Sequence, residues 1–165
     1  TLTIMAGGSA EDFAAAKPLL ETMGKKVLHI GPMGYGSVLK LCANLVGASI
    51  ITSMNEALVL AVKSGLDLGV VTEVLTERSP LIGRTAPKVL SGDFSANFPL
   101  KHSHKDVQLA LSTARAVGAP MFALGAVAQI QGAALAKGFG ELDQTVTARV
   151  LEEIAGVQAR KAPGA

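Results

Sequence analysis

The chain has 165 residues, room for one domain with a sizeable core and too few for two ordinary ones. It is 49% hydrophobic, 17% charged and only 4% aromatic, so its core is built from Ala, Leu and Val, which favours packed helices over a β-sandwich. A net charge of +2 with no basic stripe excludes a nucleic-acid binder, and the single cysteine, Cys42, excludes an internal disulfide and suits a reducing, cytoplasmic setting.

A mean hydropathy of +0.41 is on the apolar side for a soluble domain, which implies that some surface is covered by something outside the chain. Residues 1–6 lack the basic and long apolar regions of a signal peptide. The longest uncharged run in the apolar centre, Leu41 to Asn55, is fifteen residues with two Asn, against ~20 apolar residues for a bilayer span. It is expected to be a buried helix with no membrane partner.

In chain order, TLTIMA is a short apolar strand followed by a Gly7-Gly8 turn. Ser9 with Asp12 three residues on is close to a capping box and opens the helix EDFAAAKPLLETM. Gly24 stops that helix, and KVLHI is a second strand ending at Gly31. Two strands leave unpaired edges, so this β-α-β unit belongs at the end of a doubly wound sheet whose other strands lie upstream. The chain is therefore expected to be part of a longer protein.

From Gly36 a run without Pro extends to Gly65, with charge only at Lys40, Glu56 and Lys63. It predicts a long helix, apolar nearly all round and buried on most sides. Asp67 caps a helix over Leu68 to Arg78, stopped before Ser79-Pro80. A short helical piece around Pro87 to Leu90 and the loop SGDFSANFPLK follow. Further helices are expected from Ser103 to Val117 and from Pro120 to Lys137. Gly138 and Gly140 break the chain, Asp143 caps a last helix to Ile154, and AGVQARKAPGA reads as a frayed tail.

Lys40 and Asn44 stand four residues apart, one turn along one face of the long helix. Both need partners if buried. One reading is a lysine that snorkels to solvent and an asparagine bonded to a neighbouring helix. The other is a lysine held out of water that exchanges a proton with a substrate oxygen, which Asn44 orients. In NFPLKHSHKD, Phe98 can cover a flat ring and Lys105 can meet an anion, or Phe98 anchors the core and Lys105-Asp106 is a solvated pair at a helix start. His102 and His104 would face apart on a helix and lack a third ligand, so no metal is expected. Cys42 reads as a buried, inert thiol. There is no GxGxxG to cradle a phosphate.

Taken together, LTIMAGG, GPMGYGSVLKLCANLV, EALVLAVKSGL, FPLKHSHKDVQLAL and GFGELDQTVTARVLE resemble the β-hydroxyacid dehydrogenases of 3-hydroxyisobutyrate dehydrogenase type, in order and spacing over residues 1–155. The FPLK…KD segment is most similar to the glyoxylate/succinic semialdehyde reductase branch. The resemblance implies a mainly α fold, a helical bundle of the 6-phosphogluconate dehydrogenase C-terminal type. A terminal β-α-β of a Rossmann domain precedes it. It divides the chain into a Rossmann end (1–34), a helical catalytic and oligomerisation domain (35–155) and a tail (156–165).

It further implies an NAD- or NADP-dependent oxidoreductase for a small carboxylate-bearing aldehyde or hydroxy acid. Lys40 would be the proton donor and Asn44 the substrate-holding residue. Phe98 and Lys105 would border the nicotinamide, and Asp106 would help to hold the site. A homodimer or homotetramer is implied. The family's Gly-rich fingerprint and Ser-Gly-Gly substrate loop are absent, and its Asn-Asn is Ala43-Asn44 here. These residues alone are thus expected to bind a dinucleotide weakly and not to catalyse. The alternatives are a hydroxyisobutyrate or tartronate semialdehyde enzyme and a non-catalytic oligomerisation module. The presence of Lys40 favours an enzyme.

Overall fold

Residues 2–160 are described by the structure, a computed structural model. The chain falls into two compact units, residues 1–44 and 45–165.

In the first unit, β1 (Thr3–Gly7) pairs in parallel with β2 (Lys26–Gly31), in register from Thr3 opposite Lys26 to Ala6 opposite His29. Parallel strands need a crossover, and α1 (Ala10–Met23) supplies it. The Ser9 hydroxyl accepts from the Asp12 N–H at 3.0 Å, as the Ser-x-x-Asp spacing predicts. Phe13 stacks on His29, ring centres 4.7 Å apart, and so ties α1 to β2.

α2 (Tyr35–Lys63) begins in the first unit and ends in the second. Its burial corrects the expectation of a helix covered on most sides. The most apolar stretch, mean hydropathy 1.7, is only 39% buried, and Val38, Val46 and Leu60 are exposed. By length and composition alone α2 could cross a membrane, although the uncharged core of the sequence looked too short. Its second half instead contributes Ile51, Met54, Leu58 and Ala61 to the core of the second unit.

That unit continues with α3 (Leu68–Arg78), α4 (Pro80–Ser91), α5 (Leu100–Val117), α6 (Phe122–Ala136), two short 3₁₀ turns and α7 (Thr147–Ala155). α3 has the predicted limits, with the Asp67 carboxylate accepting from the Val70 N–H at 2.9 Å. α4 is much longer than the short piece expected. Pro80 sits in its first turn, where no donor is needed, and Ser79 caps it. Pro87 interrupts one backbone bond, but Ile82, Ala86 and Val89 bury a continuous stripe across it, and that burial outweighs the lost bond. α5 starts three residues before the expected Ser103, at Leu100, behind Pro99. α6 starts at Phe122 rather than Pro120.

The frayed tail is also corrected, up to residue 160. Ala159 is fully buried and its N–H donates to Glu152 Oε1 at 2.8 Å. Arg160 pairs with both oxygens of the buried Glu152 carboxylate and lies 5.4 Å from the centre of the Phe94 ring. The pairing explains why the chain does not fray there: Glu152 would otherwise be an uncompensated buried charge. Residues 161–165 of that tail lie outside the described residues.

Candidate active site

The entry into α2 is set by glycines. Gly34 takes φ +91°, a left-handed conformation costly for any residue with a Cβ. Gly36 has an ordinary backbone but no room: a Cβ there would lie 2.3 Å from the Met5 carbonyl oxygen of β1. The start of α2 therefore rests directly on strand backbone. The first turn closes with the Tyr35 N–H donating to Pro32 O at 3.2 Å and the Val38 N–H to Gly34 O at 3.1 Å.

This turn fixes the azimuth of α2, and Lys40 and Asn44 follow on one face, one turn apart. Asn44 is half-buried and engaged. Lys40 is exposed, so the lysine held out of water is not what this chain builds by itself. Val38 and Cys42, two residues to either side of Lys40 and so on the opposite side of the helix, are exposed as well, although the Cys42 thiol was expected to be buried.

The N-terminus of α1 is no substitute for a phosphate cradle. Ser9 already caps it, and Glu11 and Asp12 place negative charge in its first turn, which disfavours an anion.

In the second unit, Phe98 sits half-buried in the loop before α5, its ring centre 6.4 Å from that of His102. Its backbone is tied at both ends: the Phe98 N–H donates to Asp143 Oδ2 at 3.1 Å, and its carbonyl accepts from the Gln144 N–H at 3.0 Å. Pro99 and Asp143 form an isolated antiparallel bridge, and the Leu100 N–H donates to Leu142 O at 2.8 Å. One turn into α5, Lys105 Nζ meets Asp106 Oδ1 at 3.1 Å, with Lys105 mostly exposed and Asp106 mostly covered. Among the described residues, no three His, Cys, Asp or Glu side chains are grouped to hold a metal.

The predicted site residues thus fall into two groups. Lys40 and Asn44 belong to residues 1–44, and Phe98, Lys105 and Asp106 to residues 45–165. Sequence reasoning missed how the second group is held. Asp143 was read only as a helix cap. Ser103 was read only as a helix start, yet its buried hydroxyl donates to Gln144 Oε1 and accepts from Gln131 Nε2, each at 2.9 Å. The signal available was a buried polar pair, Ser103 and Gln131, on otherwise apolar helix faces.

Residues 34–151 match the family profile described as NAD-binding of NADP-dependent 3-hydroxyisobutyrate dehydrogenase, and residues 1–31 match the NAD binding domain of 6-phosphogluconate dehydrogenase. The chain belongs to the 3-hydroxyisobutyrate dehydrogenase-like β-hydroxyacid dehydrogenases. It is 33% identical over 161 residues to 2-(hydroxymethyl)glutarate dehydrogenase of Eubacterium barkeri, covering 95% of this chain and 54% of that protein. With 3-hydroxyisobutyrate dehydrogenase of Pseudomonas aeruginosa the identity is 37%, covering 78% and 46%. With glyoxylate/succinic semialdehyde reductase 2 of Arabidopsis thaliana it is 30%, covering 98% and 45%. The crystal structure of 3-hydroxyisobutyrate dehydrogenase from Salmonella typhimurium superposes with a TM-score of 0.82 at 27% identity, over 90% of this chain and 53% of that one. The chain spans about half the length of the curated relatives it matches.

Proposed function

We propose that the complete protein is an NAD(P)-dependent β-hydroxyacid dehydrogenase or reductase that interconverts a small carboxylate-bearing aldehyde and its hydroxy acid. The observation that carries the reading is the family match across residues 34–151, with Lys40 and Asn44 side by side on the helix it covers. The named substrates of the three relatives all carry a carboxylate, which supports that substrate class. The FPLKHSHKD segment favours glyoxylate and succinic semialdehyde. The greater identity to the Pseudomonas aeruginosa protein favours 3-hydroxyisobutyrate as the second reading.

The nicotinamide supplies the hydride. Lys40, exposed and on the open face of α2, gives its proton to the nascent alkoxide oxygen of the substrate. Asn44 holds that substrate. Phe98, on the loop before α5, and Lys105, one turn into that helix, border the nicotinamide end of the cofactor, and Asp106 restrains Lys105. The donor set present fits that end of a dinucleotide and not its pyrophosphate, because α1 opens with acids and the Gly7-Gly8 turn before it lacks the spaced glycines of a dinucleotide fingerprint. The exposed apolar residues of early α2, Val38, Leu39 and Val46, are suited to cover in a homodimer or homotetramer.

In the complete protein, Lys40→Ala is expected to lower kcat by about 10²-fold or more with little change in cofactor affinity. Steady-state kinetics with glyoxylate, succinic semialdehyde and 3-hydroxyisobutyrate test both the residue and the branch. Near-normal turnover of every accepted substrate by the variant sinks the assignment.

A further inference from the structure

We propose that Asp143 is a positioning residue: its carboxylate fixes the backbone at Asn97 and Phe98 and so determines where the Phe98 ring is held for the cofactor. The proposal rests on the reading of Phe98 as a nicotinamide-bordering residue.

Asp143 is 3% exposed and its carboxylate accepts four hydrogen bonds. Oδ1 takes the Thr145 N–H at 3.1 Å and the Thr145 hydroxyl at 2.8 Å, which is the work of an N-cap. Oδ2 faces the other way and takes the N–H groups of Asn97 and Phe98, at 3.0 and 3.1 Å. A serine would serve as well for the cap, without burying a charge. Burying a carboxylate is unfavourable unless its oxygens are satisfied. What the second oxygen adds is the hold on the loop.

The rest of the segment acts with it. The Asp143 N–H donates to Phe94 O at 2.9 Å, and Gln144 holds the Phe98 carbonyl and the Ser103 hydroxyl. Residues 142–144 are thus a template along which residues 94–103 are laid. The template is itself fastened to α2, where the fully buried Asn55 donates to Thr145 O at 3.3 Å and to Thr147 Oγ1 at 2.9 Å. Between the buried Phe94 and Leu100, residues 95–97 are exposed, and a stretch with so little burial of its own would pay ordering entropy on meeting a ligand. Held this way, it meets the ligand already ordered.

The test uses the complete protein and titrations with NADPH and NADH. Asp143→Ser keeps an oxygen for the Thr145 N–H but is too short for the loop. Both dinucleotides are expected to bind about tenfold more weakly to it, with kcat at saturating cofactor within about twofold of the parent. Phe98→Ala should give a comparable loss, and the double variant no further loss, because both act through one ring. Leu124→Ala, a buried truncation on α6 outside the core cluster that holds Phe94 and Leu100, should keep its dinucleotide Kd within about twofold. If Asp143→Ser does not fold, the isosteric Asp143→Asn carries the same comparison. Fully additive losses, or unchanged affinity in the Asp143 variant where Phe98→Ala weakens binding, overturn the proposal. A silent Phe98→Ala overturns the reading beneath it, and the proposal with it.

Discussion

Residues 1–44 and residues 45–165 are held together by different means. Among the described residues of the first unit only Gly24 and Gly36 are buried, and α1 buries no side chain. What fixes that unit is backbone: a two-stranded ladder and a helix start resting on strand carbonyls. The second unit holds every buried hydrophobic side chain described, from Ala48 to Ala159. The lesson is that one stretch depends on the absence of side chains at a few points, and the other on their presence at many.

Leu58→Ala should show the largest effect. Leu58 is fully buried among α2, α4 and α7 residues, and its truncation is expected to cost about 2–5 kcal/mol in denaturant unfolding. Leu19→Ala on α1, where the side chain is 67% exposed, should stay within about 0.5 kcal/mol. Similar losses at the two sites would break the contrast.

Gly36→Ala reverses the logic by adding one methyl group. With the Met5 carbonyl 2.3 Å from the new Cβ, strand or helix must move, at a cost of about 1–3 kcal/mol. Hydrogen exchange localises it. Amides of β1 and β2 should lose protection while those of α4 and α7 keep theirs, and uniform loss across both units would contradict the separation.

The same division governs what was legible in the sequence. Long helices without Pro, such as α2 and α3, were read with nearly their observed limits, because local apolar spacing and caps suffice for them. α4 was not, since Pro80 and Pro87 masked the Ile82, Ala86, Val89 stripe that tertiary burial exploits. The pairing of Lys40 with Asn44 followed from helical spacing, but the exposure of Lys40 and Cys42 did not, because exposure depends on what covers a face. The double role of Asp143 was out of reach for another reason. In sequence a cap aspartate looks the same whether its second oxygen meets water or a loop 45 residues away.

Asp93 provides the matching case in which the carboxylate stays in water, and the smallest expected effect. It too serves a loop N–H, accepting from Ser95 N at 2.9 Å, but on an exposed turn. The hydrogen bonds from Ser95, and then the charge of Lys88, hold its carboxyl below the usual 3.8. The folded state therefore binds its proton less readily than the unfolded chain. The resulting stabilisation is fully present above about pH 4, where the unfolded carboxyl is ionised, and is lost as pH falls through the lower folded value. Asp93→Asn should accordingly lower Tm only slightly at pH 7, since water screens an exposed group. The difference from the parent should shrink towards zero as the pH is taken below 3.8. Thermal melts from pH 7 down to pH 3 measure both arms, and a gap that widens on acidification would show that the charge on Asp93 works against the fold.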